Sequence, residues 1–126
     1  MQATVTIRQE GDVQILDVTG PLVTGDGADT LRDTVRDLIL RRYRQLVVHL
    51  GAVSMVDSSG IGELMAARTA VLNRGGQMKL AQLAPCVLRA LQVARVLKAF
   101  DVFDDVAAAI AGIQPSSKGA AEEKGK

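Results

Sequence analysis

"LVVHLGAVSMVDSSGIGELMAA", residues 46–67, decides the fold because two periodicities meet inside it. Its first five residues, Leu46 to Leu50, are apolar apart from His49 and do not alternate, as expected of a central strand covered on both faces by helices. From Ser58 onward the pattern is helical, with Ile61, Leu64, Met65, Arg68, Val71 and Leu72 on one stripe. Asn73, Arg74, Gly75 and Gly76 close that helix, and Gly75 suits the left-handed position after it. A strand therefore feeds a helix through V-D-S-S-G, residues 56–60.

On the N-terminal side, "ATVTIRQ" from Ala3 and "VQILDVTG" from Val13 are short β runs split by Glu10, Gly11 and Asp12, which reads as a hairpin. "GPLVTGDGADTLRDTVRDLILRR", residues 20–42, places Ala28, Leu31, Val35, Leu38 and Ile39 on one helical face. Thr24 or Asp26 is placed to cap it, with Asp29 near its positive end and Arg41 and Arg42 near its negative end. On the C-terminal side, "QMKLAQL" from Gln77 is a strand, and Pro85 opens a third helix with Val87, Leu88 and Leu91 inward. "AFDVF" from Ala99 is a short last strand, and "DDVAAAI" from Asp104 a final helix.

The order β-β-α-β-α-β-α-(β)-α predicts one α/β domain over residues 1–113. Its mixed β-sheet carries the hairpin at one side, parallel later strands joined by right-handed crossovers, and helices packed mainly on one face. "QPSSKGAAEEKGK", residues 114–126, is small, polar and charged with nothing to bury, and reads as a disordered polar tail.

Composition narrows the function. Only 2% of residues are aromatic, so the core is aliphatic and base stacking has no platform. Fifteen basic residues against fourteen acidic ones give a net charge of +1, which argues against direct nucleic acid binding. A single cysteine, Cys86, and a single histidine leave no intramolecular disulfide and no zinc cluster; Cys86 reads as a small buried hydrophobe. No apolar run approaches the roughly 18 residues of a membrane span, so the expectation is a soluble, cytoplasmic protein.

The paired serines admit three readings. A hydrolase elbow would be G-x-S-x-G, but "VDSSG" lacks the first glycine, and the only base, His49, lies within the predicted strand as a satisfied core histidine. A phosphate cradle fails too, because "SSGIG" has neither the lysine nor the length of a P-loop. As a helix start, Asp57 or Ser58 is the N-cap. One cap leaves the second serine unexplained, and Gly60 and Gly62 make the first turn bare, which suits either close helix-to-sheet packing or close approach of a partner.

"VVHLGAVSMVDSSGIGELMAA", preceded by "GPLVTGDGADTLRD", resembles the STAS domain of anti-sigma-factor antagonists, over roughly residues 3–111. The resemblance implies the same mixed sheet and no catalysis and no cofactor in this chain. It places the phosphoacceptor on Ser59, flanked by Asp57, Ser58 and Gly60, with Thr24, Asp26, Gly27, Ile61 and Gly62 as candidate partner contacts. It also implies the cycle: the unphosphorylated form binds an anti-sigma factor with serine kinase activity and frees the sigma factor, the kinase phosphorylates the antagonist, and a phosphatase acting on phosphoserine restores it. ATP belongs to the partner.

This chain departs from the family in two places. Pro21 and Val23 replace acidic positions of the family's G-E-L-D loop, with Asp26 a candidate substitute, and Arg95 stands near where the family commonly has glycine. The resemblance also implies an alternative, a STAS interaction subunit of a stress-sensing scaffold or lipid-transport complex. The small and apolar residues of the second helix suit a homodimer equally.

Overall fold

A computed structural model of the 126-residue chain describes residues 2–113; the tail expected at 114–126 lies outside the described residues. Five strands, β1 (Thr4–Glu10), β2 (Val13–Leu22), β3 (Gln45–Val56), β4 (Gln77–Ala81) and β5 (Val102–Phe103), form one sheet in that order. β1 and β2 are the antiparallel hairpin; every later pair is parallel. The helices are α1 (Gly27–Leu40), α2 (Ser58–Asn73), α3 (Pro85–Val93) and α4 (Val106–Gly112). The order and the mixed sheet are those the sequence predicts.

Strand alternation divides the apolar residues between two faces. Leu16, Val18, Leu46, Val48, Leu50 and Leu80 point to the larger core, where Leu31, Val35 and Leu38 of α1, Leu64 and Val71 of α2, and Val87 and Leu91 of α3 cover them. Val13, Ile15, Val47 and Ala81 point the other way, under Ala109 of α4 and Ile113. Helices thus pack mainly on one face, with α4 alone on the other. Leu46, Val47 and Val48 are all fully buried, which is why that run shows no polar alternation.

Several local expectations change. β3 does not stop at Leu50 but runs twelve residues to Val56. Its last pair with β4 is His49↔Ala81, whereas pairing with β2 continues to Leu22↔Val56. The ends of β2 and β3 therefore project beyond β4 as a two-stranded extension. Pro21 is accommodated there, next to a register shift and past the last β1 partner, Thr4↔Thr19.

On α2, Leu72 is exposed, and Ala67, outside the expected stripe, is buried in the larger core with Leu64 and Val71. Leu88 of α3 is likewise exposed, leaving Val87 and Leu91 inward. "AFDVF" yields only the two-residue β5, since Leu97–Ala99 before it is a 3-10 turn. Cys86 is half-buried, its thiol 3.6 Å from the Val53 carbonyl. His49 is not in the core: its side chain is 21% exposed, and its ring meets Gln82 Oε1 at 3.1 Å and Asp17 Oδ1 at 3.7 Å.

Candidate functional site

Parallel pairing through Leu22↔Val56 sets the two segments that follow these strands side by side. One is the β2–α1 loop, Val23 to Asp26; the other is the first turn of α2, from Asp57. The Asp57 N–H reaches the Leu22 carbonyl at 3.4 Å across the gap.

Asp57, rather than Ser58, is the N-cap. Its backbone is extended (φ −118°, ψ −174°), its Oδ1 accepts from the Gly60 N–H at 3.0 Å, and its carbonyl accepts from Ile61 at 3.1 Å. The other carboxylate oxygen serves the neighbouring loop: Oδ2 accepts from the Thr24 N–H at 3.0 Å and lies 3.1 Å from Thr24 Oγ1. Thr24 Oγ1 is in turn 2.5 Å from Ser59 Oγ. A hydroxyl has one proton and a carboxylate only accepts, so Thr24 donates to Asp57 and Ser59 donates to Thr24. The result is a directed chain, Ser59 to Thr24 to Asp57.

The Asp57 carboxyl is held below the ordinary carboxylate range, first by the Thr24 N–H and then by the Gly60 N–H. Desolvation opposes them, and the Thr24 hydroxyl and the Ser59 N–H add smaller effects in the lowering sense. An anion therefore stands beside Ser59 at neutral pH.

Of the residues singled out in the sequence, Thr24, Asp57 and Ser59 are brought into mutual contact, with Ser58 and Gly62 exposed at the rim. Others belong to the scaffold. A Cβ on Gly60 would collide with the Leu22 carbonyl and lie 2.9 Å from Val56 Cγ2; one on Gly27 would collide with the Pro21 carbonyl. Ile61 is half-buried against the larger core. Gly62 has open space around it, so packing does not account for that glycine.

Neither expected cap serves α1. Asp26 occupies the N-cap position without a side-chain bond to the helix, because its Oδ1 accepts from the Ala3 N–H at 3.1 Å. Thr24 is engaged by Asp57 and Ser59 instead. Asp26 is thus tied to the start of β1, and Thr24 is the loop residue facing Ser59. The serine–histidine pair weighed in the sequence does not form: His49 bonds Gln82, and Ser59 bonds Thr24.

Sequence reasoning missed Met55, which is 55% exposed two residues before Asp57. The signal was its place in "GAVSMV", where a long strand outlasts its covering. Among the described residues no group of three or more His, Cys, Asp or Glu is gathered as metal ligands would be, and no helix is long and apolar enough to cross a membrane. A separate groove of about 250 Å³ lies between α1 and α2, floored by Val35, Ile39 and Ala67 and flanked by Arg36 and Arg74; none of the Thr24, Asp57 and Ser59 cluster lines it.

A family model for the STAS domain matches residues 4–109. Among solved structures, an anti-sigma factor antagonist from Mycobacterium paratuberculosis superposes with a TM-score of 0.79 at 18% identity, over 89% of this chain and 94% of that one. The Bacillus cell fate determinant SpoIIAA in its phosphorylated form gives 0.69 at 14% identity, over 88% of this chain and 100% of that one. A sulfate transporter family protein from Wolinella succinogenes gives 0.71 at 23% identity, over 83% and 87%. At these identities the likeness is one of fold.

Proposed function

Because the chain belongs to the STAS domain family, we propose that it is an anti-sigma-factor antagonist whose partner binding is switched off by phosphate on Ser59. The unphosphorylated form binds an anti-sigma factor with serine kinase activity in the cytoplasm and frees the sigma factor for transcription. A phosphoserine phosphatase resets it. The chain itself supplies an acceptor hydroxyl and a docking surface, with no catalysis and no cofactor of its own.

The observation that carries this reading is Ser59 beside ionised Asp57, on the first turn of α2 at the tip of the β2–β3 extension. Phosphate there adds about −1.5 to −2 charges next to an existing anion, on a surface that a partner must desolvate. The rim supports docking at the same place: Ser58 and Gly62 expose a helix start with little side chain, and Met55 exposes an apolar side chain nearby.

A second reading, a STAS interaction subunit outside any sigma cycle, is favoured by the likeness to the transporter-family protein. Titrating the isolated anti-sigma kinase with Ser59→Ala and Ser59→Asp separates the two. The phosphorylation switch requires Ser59→Ala to bind as the native chain does and to take up no phosphate from ATP, and Ser59→Asp to bind about tenfold or more weakly, equivalent to about 1.4 kcal/mol. Equal affinity of the two variants removes the charge switch. A phosphate-free Ser59 in cells, with a noncatalytic partner copurifying, supports the subunit reading.

A further inference from the structure

We propose that Thr24 is a positioning residue that converts phosphate on Ser59 into release of the β2–α1 loop. The inference rests on the reading of Ser59 as phosphoacceptor and extends it from charge to conformation. In the unmodified chain Thr24 clasps the loop to α2: its N–H and its hydroxyl meet Asp57 Oδ2 at 3.0 and 3.1 Å, and its hydroxyl oxygen takes the Ser59 proton at 2.5 Å. Gly25, the next residue, has φ +77° and open space where a side chain would stand. The remaining hydrogen bonds of the loop stay within it or run to α1 and β1 rather than α2: the Val23 carbonyl accepts from the Asp26 and Ala28 N–H groups, and Asp26 Oδ1 from the Ala3 N–H.

Phosphoryl transfer removes the Ser59 proton, one of the three that hold the clasp. The Ser59 Oγ–P bond forms, the bond from the γ-phosphorus to the bridging oxygen of a nucleoside triphosphate on the kinase breaks, and the hydroxyl proton passes to a base of the kinase. Ser59 can then only accept. Thr24 Oγ1 still carries one proton, and it now faces two anions, Asp57 and the phosphate. One proton cannot serve both, so an acceptor is left facing an acceptor in the clasp.

The displacement has a defined route outward. Asp26, two residues along the loop, holds the Ala3 N–H at 3.1 Å, and a Cβ on Gly27 would meet Ala3 Cβ at 3.0 Å. Movement of Thr24 is therefore passed to the start of β1. The surface offered to a partner changes along the whole loop as well as at the phosphate.

The test uses the full chain with phosphoserine inserted at position 59 during translation, so that it needs no kinase. Amide hydrogen exchange is read residue by residue at Thr24 and Ala3. Phosphate is expected to speed both about tenfold or more, the mark of local opening without global unfolding. Unmodified Thr24→Val, which keeps the shape and loses the hydroxyl, is expected to exchange at position 24 as fast as the phosphorylated native chain, and Thr24→Ser to restore slow exchange. Unchanged exchange at Thr24 on phosphorylation, or slow exchange retained in a folded Thr24→Val, overturns the proposal. Either result leaves the charge switch standing, which the Ser59→Ala and Ser59→Asp titration judges separately.

Discussion

The carbonyl oxygen of Leu22 occupies the space that a side chain on Gly60 would need. That contact sets how closely the start of α2 approaches the end of β2, and with it the reach between Thr24 and Ser59. Because the obstacle is backbone, Gly60→Ala must push the helix away, at a cost of about 1–3 kcal/mol. Gly62, two residues on, has no neighbour in that space. Gly62→Ala should therefore stabilise α2, by up to about 1 kcal/mol, through the lower conformational entropy of the unfolded chain. Urea unfolding of the two variants checks the contrast; similar destabilisation of both would mean that Gly62 is also a packing glycine.

Arg95 sits with φ +62° after α3, where Val96 and Arg95 N–H groups bond back to the Leu91 and Gln92 carbonyls. This is a left-handed helix stop built on a residue with a Cβ, which costs roughly 1–2 kcal/mol relative to an ordinary conformation. Its glycine substitution, Arg95→Gly, should raise stability by about 0.5–1 kcal/mol after the larger entropy loss of glycine is set against that strain. A lower unfolding midpoint would show that the arginine side chain makes up the difference.

The fold was legible wherever neighbours in sequence carry the signal. Helical stripes, the hairpin and the β-to-α switch at residues 56–60 are short-range patterns, and the structure keeps them in the predicted order. What a stripe does not encode is which flank faces solvent: Leu72 and Leu88 lie at helix edges, and only the neighbouring elements decide their exposure. The same limit hid the site. Asp57 as a cap follows from its own segment, whereas its bonds to Thr24 span 33 positions, and the Thr24–Ser59 bond spans 35. Those contacts depend on the β2–β3 register, which in turn depends on β3 running past its β4 partner. Read as a loop alone, Thr24 and Asp26 look like competing helix caps; strand register gives one to the site and the other to β1.

Two ion pairs of equal length should differ in worth. Arg8 Nε–Asp17 Oδ2 and Lys79 Nζ–Asp101 Oδ2 are both 2.6 Å, but the Arg8 side chain is 53% exposed and that of Lys79 only 14%. Arg8→Ala should leave the unfolding midpoint within experimental scatter, since water screens the charge and the free side chain regains its entropy. Lys79→Ala should cost about 1–2 kcal/mol, chiefly through lost packing of the buried stem. Lys79→Met, which keeps the stem, should recover most of it. A Met variant as unstable as the Ala variant would assign the loss to the charge.

Asp57 couples the site to pH through the bonds it accepts. Its folded-state pKa lies below the unfolded value because the Thr24 and Gly60 N–H groups favour the carboxylate. Stability from this source is therefore fully present above the unfolded value, about pH 4, and is lost as pH falls through the lower folded value. Asp57→Asn still offers a cap oxygen to Gly60, but its amide nitrogen is set against the Thr24 N–H, donor to donor. The variant should be less stable than the native chain at pH 7, and the gap between their urea midpoints should narrow steadily below about pH 4 as native Asp57 takes up its proton. Exchange at the Thr24 amide should rise in the variant at neutral pH, since that group loses its acceptor. Parallel stability curves from pH 7 to pH 2 would mean that the carboxylate charge contributes nothing beyond the cap, and that the hydroxyl chain from Ser59 does not depend on it.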